Sequence, residues 1–239
     1  GVKEEIKAKY ENNMYALRTM YKSAEDCTTF DVDSGLLWNR NVRHGDFLAY
    51  RLGIGDLPFQ APIVVQKEKF TMEEDSLKQK PAMIKKNYET LYDVPVRVDL
   101  LSHKLVGLIG GEKCKGAIDI IKILATQIAA NNCYTDVKMI FVYDKEQANN
   151  EGTWEFAKWF PHVWSQDKKV RYMASDKREM SDVFYELVKV FRQRDEEVKE
   201  GDDGIQLPYY IMFLMNPDLL EGELISKYVR TDLTIGNMV

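Results

Sequence analysis

The second half of the chain alternates short, almost wholly apolar runs with longer amphipathic ones, and this alternation constrains the fold more than any other feature. The runs LVGLI (105–109), VKMIFVY (137–143), VRYM (170–173) and PYYIMFLM (208–215) are each followed by a helical pattern, over residues 114–130, 153–160, 176–199 and 218–230. LTIGNMV (233–239) reads as one more strand. Strands without polar alternation are buried on both faces, and helices between them make the strands parallel. The expected fold is α/β, a doubly wound, mainly parallel sheet with its ligand crevice at the carboxyl ends of the strands. An N-terminal helix and a small β-rich segment precede it.

In that leading part, Val2, Ile6, Tyr10, Met14, Leu17 and Tyr21 recur every three or four residues, which predicts an amphipathic helix to about residue 25. It either packs on the domain or acts as a spacer from something upstream. Ser34 is placed to cap a short helix through SGLLWNR. Residues 46–65 are rich in β-branched and aromatic side chains and punctuated by Gly53, Gly55, Pro58 and Pro62, which predicts two or three strands with tight turns. Thr71 with Glu74 gives a capping-box signature for a helix interrupted or restarted at Pro81 and running on to about Tyr92, and Pro95 opens an extended piece, PVRVDLL. The expected division is 1–33 for the N-terminal helix, 34–101 for a β-rich accessory segment packed on the main domain, and 102–239 for the core.

Where the first apolar run meets its helix, KLVGLIGGEKCKGAI (104–118) has the outline of a phosphate-binding loop of the form GxxxxGK(S/T). Counted from Gly111, the second glycine is Gly116, but the Lys and hydroxyl positions are Ala117 and Ile118. Counted from Gly110, Lys115, Gly116 and Ala117 stand where Gly, Lys and Ser belong. Neither register supplies both the Lys for the terminal phosphates and the hydroxyl for magnesium. The late strand of such a fold should end in an acid that handles magnesium. Here it ends in Met215 and Asn216, and Asp218 is better suited to capping the next helix. Asp144, closing the 137–143 run, is either a metal-side acid or ordinary strand punctuation. The expectation is a P-loop-like fold with degenerate nucleotide motifs, no catalytic residue, no bound metal and no cofactor. Lys113 and Lys115 either attract an anion at the helix start or are solvated first-turn residues. Cys114 beside them is expected to be inert.

Net charge −5 and a pI near 5.4 leave no electrostatic footprint for a phosphate backbone, so nucleic acid is not an expected partner. Three cysteines without metal-type spacing argue for a reducing interior, and His44, His103 and His162 form no ligand pattern. Trp154, Trp159 and Trp164, with Phe156 and Phe160, make an aromatic cluster that either packs under a loop or faces a partner. RQRDEEVKEGDDG (192–204) reads as a solvated helix end and turn. The start at Gly1 and the strand-like final run lead us to expect a piece of a longer protein.

Three segments together carry a family resemblance: LLWNRNVRHGDFLAYRLGIGDLPFQ (36–60), the degenerate loop followed by VKMIFVYD, and WFPHVWSQDKKVRYMAS (159–175). They resemble the membrane-proximal cytosolic region of the EssC/YukB/EccC proteins of type VII secretion, which are membrane-anchored FtsK/SpoIIIE-type ATPases. The resemblance covers about residues 34–230. It implies the DUF or "ATPase zero" domain, which follows the transmembrane helices and precedes three ATPase domains, and it makes the N-terminal helix a stalk. It further implies a place at the cytoplasmic face of the cell membrane, with the membrane reached only through the full-length protein. Implied partners are other domains and subunits of the secretion complex, with secreted WXG- and LXG-type substrates or accessory proteins. Two functional readings stay open: a noncatalytic coupling and interaction module, or a regulatory domain that holds ATP without cleaving it. A DNA translocase conflicts with the acidic charge and the substituted motor positions.

Overall fold

The computed structural model describes residues 2–61, 63, 76–111, 115–146, 152–201 and 204–229. The expected capping box at Thr71 and Glu74, the turn at Pro62, Lys113 and Cys114 of the glycine loop, and the final run 233–239 lie outside the described residues. The chain forms two compact units, residues 1–23 with 51–98 and residues 24–50 with 99–239. Residues 1–23 of the expected stalk segment thus group with the β-rich stretch, while residues 24–50 group with the core.

In the first unit, helix α1 (Val2–Met20) is joined by strand β1 (Ala49–Pro58), helix α3 (Ser76–Tyr88) and strand β2 (Thr90–Asp99), with β1 and β2 paired in a two-stranded sheet. The stripe of α1 packs: Leu17 is buried, and the Tyr10 ring lies 5.6 Å from Phe59 and 5.3 Å from Tyr88 while its hydroxyl donates to the Thr90 carbonyl. Arg97 lies over the ring of Tyr21 and donates to its hydroxyl. The expected breaks at Gly53 and Gly55 do not occur, since both lie within one ten-residue strand. A Cβ at Gly55 would stand 3.0 Å from Val96 Cγ2, so this glycine serves strand approach rather than a turn. Helix α3 stops at Tyr88, short of the expected Tyr92, and the extended piece begins at Thr90 rather than Pro95.

In the second unit, helix α2 (Ala24–Cys27) packs with α4 (Lys115–Asn131). A three-stranded sheet of order β4 (Met173–Ala174), β3 (Val137–Val142), β5 (Tyr209–Leu214) is parallel throughout, with Val137 opposite Tyr209 and Val142 opposite Leu214 and Ala174. The central strand β3 is buried at every position, as its unbroken apolar run predicts. Helix α5 (Lys177–Lys199) lays Met180, Val183, Phe184, Leu187, Val188 and Phe191 against Ile140, Val142, Tyr172 and Tyr210, with Tyr228 of the short helix α6 (Ser226–Val229) in the same core. By the pleat, Phe141 lies on the other face, stacked on Phe213 at 4.9 Å and against Trp154 at 5.7 Å. The unit is an α/β fold.

Four local expectations are corrected. Residues 105–109 are in no strand, and Leu105 and Ile109 are 64% and 100% exposed. An apolar run is consistent with a strand but does not supply a neighbour to pair with. SGLLWNR is a turn rather than a helix: Ser34 Oγ accepts from Leu36 N, and Gly35 and Trp38 take positive φ, which ends any helical run. The 153–160 stretch is 3-10 helical (Glu155–Trp159), followed by a second short turn at Pro161–Val163. The helix expected over 218–230 is a 3-10 turn (Pro217–Leu220) and α6, because Gly222, at φ 77, breaks the run.

Segment 36–50 binds the end of α4 through a buried polar network. Trp38 N and Arg40 N donate to the carbonyls of Ala130 and Asn131, Trp38 Nε1 donates to Ala129, and Asn132 Nδ2 donates to the Arg40 carbonyl. Arg40 pairs with Asp46 at 3.1 Å and donates to the Ala49 carbonyl, and Tyr50 donates to Asn132 Oδ1 at 2.7 Å. Burial raises the Tyr50 phenol far above its ordinary range, so it stays a donor.

Candidate functional site

Two edges of the parallel sheet were candidates. At the carboxyl edge, where doubly wound folds hold their ligands, the ends of the three strands meet: Tyr143 N donates to the Ala174 carbonyl, Lys145 N to Ser175 and Met215 N to Val142. The side chains there serve the backbone. Asn216 Oδ1 accepts from Asp218 N at 3.0 Å and caps the 3-10 turn, so the cap is Asn216 rather than the expected Asp218. Asp144 Oδ1 accepts from Glu146 N, and Asp176 caps α5 by accepting from Arg178 N and Glu179 N while pairing with Lys145 at 2.8 Å. Glu179 Oε2 accepts from Ser175 N and Oγ, tying the residue before the cap to the first turn of α5. Lys145 holds the Asp176 carboxyl below its ordinary range. Carboxylates engaged in this way are occupied as helix and turn ends.

The glycine loop is partly visible. Gly110 and Gly111 precede α4 without regular structure, Gly111 at φ 60, and Lys115, Gly116, Ala117 and Ile118 form the first turn of α4. Lys115 and Gly116 are exposed, while Ala117 and Ile118 are half-buried. The described residues do not bring this loop and Met215–Asn216 together through any hydrogen bond.

At the opposite, amino edge lies an open cleft of about 590 Å³ walled by Tyr134, Trp159, Pro161, Trp164 and Pro208, with Lys138 in its lining. The volume falls in the range of small-ligand and peptide-side-chain sites. Its outer wall is a built loop: Trp164 bridges Arg171, Ser165 N donates to the Val170 carbonyl, and Ser165 Oγ accepts from Lys169 N and Val170 N. Ser165 Oγ also donates to Asp167, which with Lys169 N holds that carboxyl at about 2. The Arg171 guanidinium lies 4.5 Å over the Trp164 ring. The three tryptophans therefore part company: Trp154 is 1% exposed and belongs to the core, Trp159 is 79% exposed, and Trp164 is half-buried beside it.

Three charged or titratable residues here were given no site role by the sequence. Lys138 is only 5% exposed within β3, and burial lowers its pKa. His162 is wholly buried, its Nε2 donating to the Asn132 carbonyl at 2.8 Å while Nδ1 meets no partner among the described residues; burial depresses it to about 4. Arg194, inside the run expected to be a solvated helix end, is 5% exposed, lies 5.1 Å over Tyr210 and donates to the Pro208 carbonyl. The run is therefore solvated on one side only. For Lys138 a signal existed, a lone Lys in an otherwise unbroken apolar run.

No protein-family model matches the chain. It is similar to the ESX secretion system protein EccC of Geobacillus thermodenitrificans, at 24% identity over 230 residues and 95% of this chain. It is 23% identical over 95% of its length to the ESX secretion system protein YukB of Bacillus subtilis, and 21% identical over 83% to the type VII secretion system protein EssC of Staphylococcus aureus. It spans only 13% to 15% of the length of these curated relatives. The similarity covers 83% to 95% of the chain, and it supports a domain of the kind found in the EccC, YukB and EssC proteins of type VII secretion.

Proposed function

We propose that the chain is a noncatalytic pseudo-ATPase domain of a membrane-anchored type VII secretion motor, standing at the cytoplasmic face of the membrane and coupling other parts of the complex to export of WXG- and LXG-type substrates. In this reading the α/β unit is a P-loop-like, doubly wound core whose nucleotide residues have been replaced. One observation carries it: β5 ends at Leu214 and is followed by Met215 and Asn216, with the Asn216 side chain committed to its own turn, while Ala117 and Ile118 sit where the loop needs Lys and a hydroxyl. The amino-edge cleft supplies a surface for contact with partners, with Trp159 as its exposed anchor. A second reading, ATP held without cleavage, draws on the exposed Lys115 and Gly116 at the start of the 17-residue helix α4.

The test is cross-linking and affinity capture with the domain in secreting cells, comparing wild type with Trp159→Ala. The wild type is expected to capture an identified type VII component, and the variant to lose most of that capture with unchanged thermal melting. Equal capture by both proteins contradicts the assignment of the cleft.

A further inference from the structure

We infer that the amino-edge cleft receives a peptide segment in which a carboxylate adjoins an aliphatic or aromatic side chain, the carboxylate seated on Lys138. The inference rests on the proposal that this cleft is the docking surface, and it specifies the chemistry of what docks.

Lys138 is 5% exposed yet lines the cleft, and among the described residues no carboxylate or carbonyl accepts from it; its neighbour is the Tyr134 ring, 5.4 Å from Nζ. A nearly buried ammonium without a counterion is unfavourable, and an anion arriving with an apolar companion relieves it. Burial lowers the Lys138 pKa by disfavouring the ammonium, and an adjacent carboxylate favours that charged form again while accepting its hydrogen bond. The one acid on the facing loop, Asp167, is engaged by Ser165 and Lys169. Lys168 stands exposed in the lining, so the cleft is locally basic on a chain of net charge −5.

A second buried cation adjoins it. Arg194 lines a neighbouring cavity of about 480 Å³, which shares Gln166, Leu207 and Pro208 with the cleft, and its buried Nη1 has no acceptor among the described residues. Leu207–Pro208 is thus flanked by a buried cation on either side. The walls of the cleft are Trp, Tyr and Pro side chains rather than a nest of backbone amides or an arginine cluster. That favours a carboxylate on a peptide over a phosphate group.

The probes are acetyl-Glu-Leu-Phe-amide and acetyl-Gln-Leu-Phe-amide, titrated into the full 239-residue chain and followed by tryptophan emission. The Glu peptide is expected to bind about tenfold more tightly, the difference one charge-assisted hydrogen bond makes in a partly open site. Lys138→Met removes that preference, and Trp159→Ala, at an exposed position, weakens both peptides alike. The wild-type comparison stands even if Lys138→Met fails to fold. Equal affinity for the two peptides, or saturation by neither, overturns the carboxylate seat. If component capture is still lost in Trp159→Ala while the peptides bind equally, the docking proposal survives and only the carboxylate chemistry falls.

Discussion

Trp154→Ala lowers the unfolding free energy by about 3–5 kcal/mol, the range for truncating a large aromatic in a packed core. The indole is 1% exposed and rests on Phe141 and Tyr143, at 5.7 and 6.4 Å between ring centroids, over the face of the sheet opposite α5. Phe141 in turn stacks on Phe213 of β5, so the cavity opens beside the joint of the two longest strands of the α/β unit. Trp154→Phe loses less, because indole Nε1 has no acceptor among the described residues. Urea unfolding of the three proteins checks this, and a Trp154→Ala midpoint within about 0.5 kcal/mol of wild type, as at a surface position, contradicts it.

The second large effect is a loss of stability in mild acid traceable to His162. Its Nε2 donates to the Asn132 carbonyl, so a second proton must go on Nδ1, which is buried with no acceptor among the described residues. The folded-state pKa of about 4 lies below the ordinary 6.5, chiefly from burial, with Lys138 adding repulsion. Between these values the unfolded chain binds more protons than the folded one. Stability therefore rises with pH through this window: it is complete above about 6.5 and is lost as pH falls towards 4. At 1.36 kcal/mol per pKa unit, the full window corresponds to about 3 kcal/mol. His162→Gln keeps a donor for Asn132 and cannot titrate, so its urea midpoint is expected to stay nearly flat from pH 6.5 to 4.5 while the wild type falls. Parallel slopes for the two proteins would falsify the assignment.

The parts of the fold that were legible in the sequence are those set by a single periodicity. The 3.6-residue stripe of α5 and the unbroken apolar run of β3 have one structural solution each, and both form where expected. Residues 105–109 show the limit of that logic, since hydrophobicity marks a segment that can pair, whereas pairing needs a neighbour. Trp38 and Leu48 adopt positive φ because tertiary hydrogen bonds to α4 and the neighbouring turn outweigh local preference, which no propensity records. The site divides in the same way. Ala117, Ile118, Met215 and Asn216 were readable as absences against a known loop chemistry. The amino-edge cleft is assembled from the α4–β3 connection, the 3-10 turns and the residues before β5, and its key cation, Lys138, stood in the sequence as a lone Lys in an apolar run whose place in the cleft only the fold reveals.

The central proposal, that the α/β unit has the place of a nucleotide motor without its chemistry, is tested most directly by ATP turnover. Each missing transition-state donor costs about 10²- to 10³-fold in rate, so the loss of the loop Lys, the hydroxyl and the late acid leaves nothing measurable. Phosphate release from Mg²⁺-ATP by the 239-residue chain, followed alongside a calorimetric titration of the same sample, is expected to equal the buffer blank, with no heat of binding. Binding heat without release transfers the chain to the ATP-holding reading. Magnesium-dependent release that disappears in Lys115→Ala contradicts the account outright.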